Sequence, residues 1–349
     1  MQPEIKYSSK RLMLTLMLCA CSVILLQNNN VSPKNSFTVN LLCMLGGLAV
    51  CAVMFLPPVI LKKRFDTDFL TLSGKVTPKL KIPLAALYAL YFVYASVYFI
   101  LPYTDMFCKK YYPGASPCII GLCVLAACVY AACKGANIIT RFGIFLFVFA
   151  LAANFLMFGG SIGSVDFANS SFLLYTDFES AASAFIYFCS PSFIAVIYAC
   201  LAGDTENFRL SQPFFALLFT ALKYALVLFF VAFSVGAYAQ RQEYQSFILS
   251  RVAHFDSFGG IESFFTALAT MSVFMIISMF LSCVNKSTGG GGVKNSAAFA
   301  LIIFIAAFMA EWNNSVKEIF TNDVILIIFT AVVAVFVPLA YIFTGRKIK

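Results

Sequence analysis

Few residues in this chain can do chemistry, and most of them stand inside long apolar runs. Cys189-Ser190-Pro191-Ser192 lies in the middle of one such run, residues 180–202. A proline there removes one backbone hydrogen bond and frees a carbonyl beside two hydroxyls. That arrangement fits a broken helix presenting polar groups to a ligand, and equally a proline kink whose serines bond back to the preceding turn. Lys223 stands ten residues into the run 213–239, about 15 Å along a helix whose apolar crossing is about 30 Å. A cation is costly at that depth. Lys223 is therefore a candidate to hold a carboxylate, to stand in for a bound cation or to exchange a proton. Snorkelling of its ammonium to the inner interface is the plainer alternative.

Tyr88, Tyr91, Tyr94 and Tyr98 recur at helical spacing in a third run. They form a stripe of rings and hydroxyls that lines a pathway or packs against neighbouring helices, and spacing does not separate the two. Ser22 and Thr15 are the polar groups of the first run, which carries no Gly or Pro to mark a break, so Ser22 is a weaker candidate for substrate contact. Ser272, Ser278 and Ser282 serve a ligand or tight helix packing equally well. The sole histidine, His254, falls in a loop and acids are scarce in the apolar runs. No nucleophile has a base beside it, so the chain is not expected to be an enzyme, and no cofactor or metal is expected. Cys108 and Cys118 flank a short loop and are either free thiols or a disulfide pair.

The elements that carry these residues follow from apolar length. At ~20 apolar residues per crossing, spans fall near 11–27, 38–61, 82–106, 117–133, 141–159, 180–202, 213–239, 258–285, 296–312 and 323–344. The composition, 61% hydrophobic and 11% charged, needs lipid to cover it, so the class is an all-α polytopic membrane protein with about ten helices in one membrane domain. The net charge of +9 does not point to nucleic acid, because the basic residues gather in short loops. With both termini inside, the cytoplasmic segments carry 17 Lys and Arg and the outer loops 6, the asymmetry that sets orientation. Residues 160–179 carry acids and no basic residue, as an outer loop should. The long outer segment 240–260, apolar at Phe247, Ile248, Val252 and Phe255, suggests an interfacial helix or lid. Gly289 to Gly292 form a flexible inner linker.

Ten spans divide into two halves, 11–160 and 178–346, and an odd number per half runs the second inverted relative to the first, as in many secondary transporters. Pro57-Pro58 and Lys62-Lys63-Arg64-Phe65 at the end of span two lead through Asp68-Phe69-Leu70 to Gly74-Lys75. Gly135 with Arg141 precedes span five, and Phe247 to Phe265 holds Arg251, Phe258, Ile261 and Glu262. In these stretches the chain resembles the endospore germination permeases, the B subunits of germinant receptors, within the amino acid–polyamine–organocation superfamily. The resemblance implies a LeuT-type 5+5 inverted repeat with a small-molecule site near mid-membrane between spans one and six. It also implies a spore inner-membrane location and partnership with germinant receptor A and C subunits. An amino-acid or amine permease without receptor partners is the competing class.

Overall fold

The computed structural model describes residues 6–26, 35–169, 177–242, 244–255, 258–259, 261–289 and 292–344. Asn28 to Asn30, Gly260, Gly290, Gly291 and Arg346 to Lys349 lie outside the described residues. Helices follow the apolar runs in order: α1 (Ser9–Ser22), α2 (Phe37–Phe65), α3 (Phe69–Val76), α4 (Lys81–Lys110), α5 (Pro117–Lys134), α6 (Ala136–Ser161), α7 (Phe178–Phe188), α8 (Phe193–Leu201), α9 (Ser211–Phe230), α10 (Gln245–Val252), α11 (Glu262–Thr288), α12 (Val293–Trp312), α13 (Asn314–Phe320), α14 (Asp323–Ala331) and α15 (Val337–Thr344). Among the described residues nine helical segments are long and apolar enough to cross a membrane. The first run differs from expectation: its α-helix has only 14 residues and passes into a 3₁₀ turn at Val23–Leu25. The other nine spans stand within a few residues of the runs.

Local chemistry sets the ends. Ser36 and Asp68 accept the backbone N–H of Val39 and Thr71, capping α2 and α3. Asn322 accepts from Val324 and Ile325 and starts α14. Gly135, at φ 86°, makes the turn between spans four and five that a side chain would strain. The outer segment folds as α10 followed by a short antiparallel pair, His254–Phe255 with Phe258–Gly259.

Helices α4, α8 and α11 form the interior; all nine residues of α8 are buried. Helices α5, α6 and α12 are the outer wall, with Phe145 and Phe155 exposed by 74% and 77%. Lipid covers such a surface.

One end of the bundle is closed by charge. Lys286, near the end of α11, stands 2.6 Å from Asp68 and 2.7 Å from Asp204, which joins α3 and the end of span six to span eight. Gly203 lies so close to Asp68 that a Cβ there would collide with its carboxylate. Beside this cluster Tyr7–Ser8 pairs in parallel with Thr205–Glu206, and Lys62 donates to the Thr205 carbonyl at 3.2 Å.

Candidate functional site

Span six is interrupted where the proline predicts. Helix α7 stops at Phe188, Ser190–Ser192 forms a 3₁₀ turn, and α8 resumes at Phe193. Ser190 Oγ donates to the Tyr187 carbonyl at 2.6 Å, closing one orphaned acceptor locally. Cys51 of span two donates to the Cys189 carbonyl at 3.3 Å. Span two can come this close because Gly47 meets the Phe188 backbone directly: a Cβ there would stand 2.7 Å from the Phe188 carbonyl carbon. Ser192 Oγ is fully buried and finds no partner within the protein.

Span one leaves the α-helical path at Val23–Leu25, which its own sequence does not announce. Where α1 passes into its 3₁₀ turn, the carbonyls are taken by side chains from elsewhere. Lys223 donates to Cys21 at 2.9 Å, Tyr224 to Ala20 at 2.7 Å and Ser246 of α10 to Ile24 at 2.9 Å. Lys223 is only 7% exposed, so its ammonium does not snorkel but offsets the negative end of the α1 dipole. The signal for this break lies in span seven, 200 residues downstream. Ser22 and Thr15 bond back to the Leu18 and Arg11 carbonyls.

The tyrosine stripe divides into two parts. Tyr88 donates to the Val333 carbonyl at 2.8 Å and Tyr91 pairs with Thr330 at 2.9 Å, which fastens span three to span ten, while Tyr94 reaches the Ile319 carbonyl of α13 at 2.9 Å and the Asn322 carbonyl at the start of α14 at 3.3 Å. Tyr98 differs: its hydroxyl makes a short hydrogen bond to the Asp323 carboxylate and lies beside Ser190. Tyr187, fully buried on α7, has a hydroxyl with no partner in the protein although Asp323 and Tyr224 are near. Ser272 Oγ on α11 is also buried and unpartnered. The structure therefore brings Ser190, Pro191 and Ser192 together with Tyr98, Tyr187 and Asp323, and sets Lys223 and Ser22 at the end of α1, a helix that packs on the span-six break. The hydroxyl of Tyr91 is committed to span ten instead, and that of Tyr94 to the carbonyls of Ile319 and Asn322 just before it. Asp323 escaped the sequence reading because an acid in the first turn of a helix is ordinary complementarity to the dipole.

Away from this region, Cys108 and Cys118 are free thiols, with Cys108 directed at the Ala115 carbonyl. His254 is held by the Val252 carbonyl at 2.8 Å. Among the described residues no three His, Cys, Asp or Glu side chains gather to hold a metal ion.

Residues 5–316 match a family profile described as spore germination protein. The chain belongs to that family. No curated protein matches. Among solved structures, MhsT in complex with L-phenylalanine shares the fold with a TM-score of 0.59 at 13% identity, over 98% of this chain and 99% of that one. Mhp1, a nucleobase-cation-symport-1 family transporter closed on bromovinylhydantoin, gives 0.48 at 12% identity, over 98% and 75%. The MhsT likeness, at this identity, establishes architecture: this spore germination family member is an all-α, multi-pass membrane protein with the LeuT-type transporter fold.

Proposed function

We propose that this protein is the membrane subunit of a spore germinant receptor that binds a small germinant, an amino acid, between its two interrupted helices and signals or transports during germination. One observation carries this reading. In a member of the spore germination family, α1 packs on the break of span six inside the bundle, and fully buried hydroxyls of Ser192 and Tyr187 have no partner within the protein. An unsatisfied buried hydroxyl costs about 1–3 kcal/mol, so a polar ligand that satisfies it gains affinity. Ser22, Tyr91 and Tyr94 shape the walls, and Ser190, Pro191 and Ser192 present the polar edge. On this reading the halves 11–160 and 178–346 are inverted repeats. The ionic end is cytoplasmic with both termini, as the basic asymmetry favours. Germinant receptor A and C subunits complete the complex in the spore inner membrane. The test is amino-acid-triggered germination of spores whose only receptor contains this chain, with and without Pro191→Ala. A response that falls at normal protein level supports the proposal; an unchanged response removes it.

A second reading, an amino-acid permease acting alone, is favoured by coverage of the MhsT fold from end to end. Uptake of labelled amino acid into vesicles holding this chain without A and C subunits separates the two.

A further inference from the structure

At the end of the bundle where α3 lies, spans three and ten leave an apolar groove between them. Leu80, Leu84 and Leu87 at the start of span three face Phe336, Ala340 and Tyr341 of span ten across about 830 Å³ of free space. Leu80 and Phe336 are exposed, so the groove opens on the outside of the bundle. Its walls are fixed from behind and cannot collapse into it. Tyr88 donates to the Val333 carbonyl within a π-helical turn, Val332–Phe336. The Thr77 and Tyr341 hydroxyls bond to each other, and the Phe69 ring stacks on Tyr88 and meets Tyr341 edge-on, each at 5.1 Å. From Leu80 to Leu87 the groove runs about 10 Å along the helix axis, room for a stretch of acyl chain.

One end of the groove is basic. Lys79 and Lys81 flank Leu80 and both are exposed. The two acids of residues 62–81, Asp66 and Asp68, are taken by Lys62 and Lys286, and among the described residues no carboxylate pairs with Lys79 or Lys81. The stem of Lys81 lies along Gly74 of α3, a helix that packs on both α4 and α15 at this end. The helical turn that opens at Pro78 has no acid and no side-chain cap, so its positive end adds to the two ammonium groups. An apolar groove with unpaired cations at its mouth suits a chain with a negatively charged head. A wholly apolar partner helix would fill the groove and give the cations nothing.

We infer that this groove is a binding site for an anionic phospholipid, with an acyl chain between α4 and α15 and the phosphate held by Lys79 and Lys81. The lipid then bridges the seam that Tyr88 and Tyr91 fasten between spans three and ten. It is separate from the small-molecule site proposed above and does not depend on it.

Delipidated full-length chain in detergent, titrated with dioleoylphosphatidylglycerol or dioleoylphosphatidylcholine and followed by native mass spectrometry and thermal unfolding, tests this. Phosphatidylglycerol should bind about tenfold more tightly than phosphatidylcholine and raise the unfolding midpoint. Lys79→Gln combined with Lys81→Gln should abolish that preference and leave the midpoint of the lipid-free protein unchanged. Lys63→Gln combined with Arg64→Gln, which removes two cations from the same segment away from the groove, should leave the preference intact. Ala340→Trp, which sets a ring in the groove, should weaken both lipids. Equal binding of the two lipids by wild type would overturn the assignment, as would a preference that survives loss of Lys79 and Lys81 or falls equally with the Lys63 and Arg64 pair. Binding that Ala340→Trp reduces without any difference between the lipids would leave the groove to an apolar occupant, such as a partner's transmembrane helix, and would also overturn it.

Discussion

Lys286 and Lys223 both hold segments of this protein together, and their partners differ. Lys286 stands between Asp68 and Asp204 at the charged end of the bundle, one cation serving two carboxylates. Lys223 stands within the apolar interior and donates to the Cys21 carbonyl, the end of a helix rather than an acid. Lys286 holds three elements against one another and is satisfied by ions. Lys223 holds a helix open and is satisfied by a backbone that would otherwise be bonded to itself. Charge is thus used once to join segments through carboxylates and once to cap the carbonyl end of a helix.

The largest expected effect comes from Lys286→Met. It leaves Asp68, only 3% exposed, and Asp204 without their cation, a loss of about 3–5 kcal/mol for a broken buried pair. Thermal unfolding in detergent should show a lowered midpoint. If the midpoint holds and ligand response alone changes, the clasp and the site are not separate devices.

Lys223→Met is expected to do the reverse. Removing a cation from the interior aids insertion by ~2.5–3.5 kcal/mol, so protein level should hold or rise while ligand response is lost. Lys223→Arg keeps charge without a readily removed proton. Activity with Arg but not Met makes Lys223 a fixed cap of α1, and full activity with Met across pH removes it from the site.

Pro191→Ala lets a backbone N–H return to the ladder and straightens the segment between α7 and α8. A response weakened by about tenfold, worth ~1.4 kcal/mol of binding, is expected with unfolding unchanged.

Tyr94→Phe is expected to do least. It deletes the hydroxyl bonded to the Ile319 and Asn322 carbonyls, a stability loss of about 1 kcal/mol, and leaves affinity as it was. A weakened affinity at unchanged stability would mean that the Tyr94 hydroxyl, and not its ring alone, serves the site, and would blur the division of the stripe.

The sequence shows some of this and conceals the rest for physical reasons. Nine spans could be placed because each needs its own run of apolar residues, a local requirement. The span-six break was visible because Pro191 acts on its own helix. The span-one break was not, since Val23-Ile24-Leu25 is ordinary helix-forming sequence and the groups that hold it open, Lys223 and Tyr224, arrive from span seven. The depth of Lys223 marked it as important, yet depth cannot say that its partner is a carbonyl. Tyr88 to Tyr98 showed a stripe, but only packing reveals that Tyr98 alone meets a carboxylate. The meeting of Asp68, Asp204 and Lys286 was not visible, because nothing short of the tertiary fold brings residues so far apart in sequence to one point.

Hydrogen–deuterium exchange by mass spectrometry, on wild-type protein in nanodiscs with and without saturating amino acid, tests the ligand site between the interrupted helices most directly. The account predicts that amides around residues 20–25 and 187–193 slow together when ligand binds, while those of α12 do not change. Ligand binding that slows neither break, or that protects some other part of the bundle alone, would contradict it.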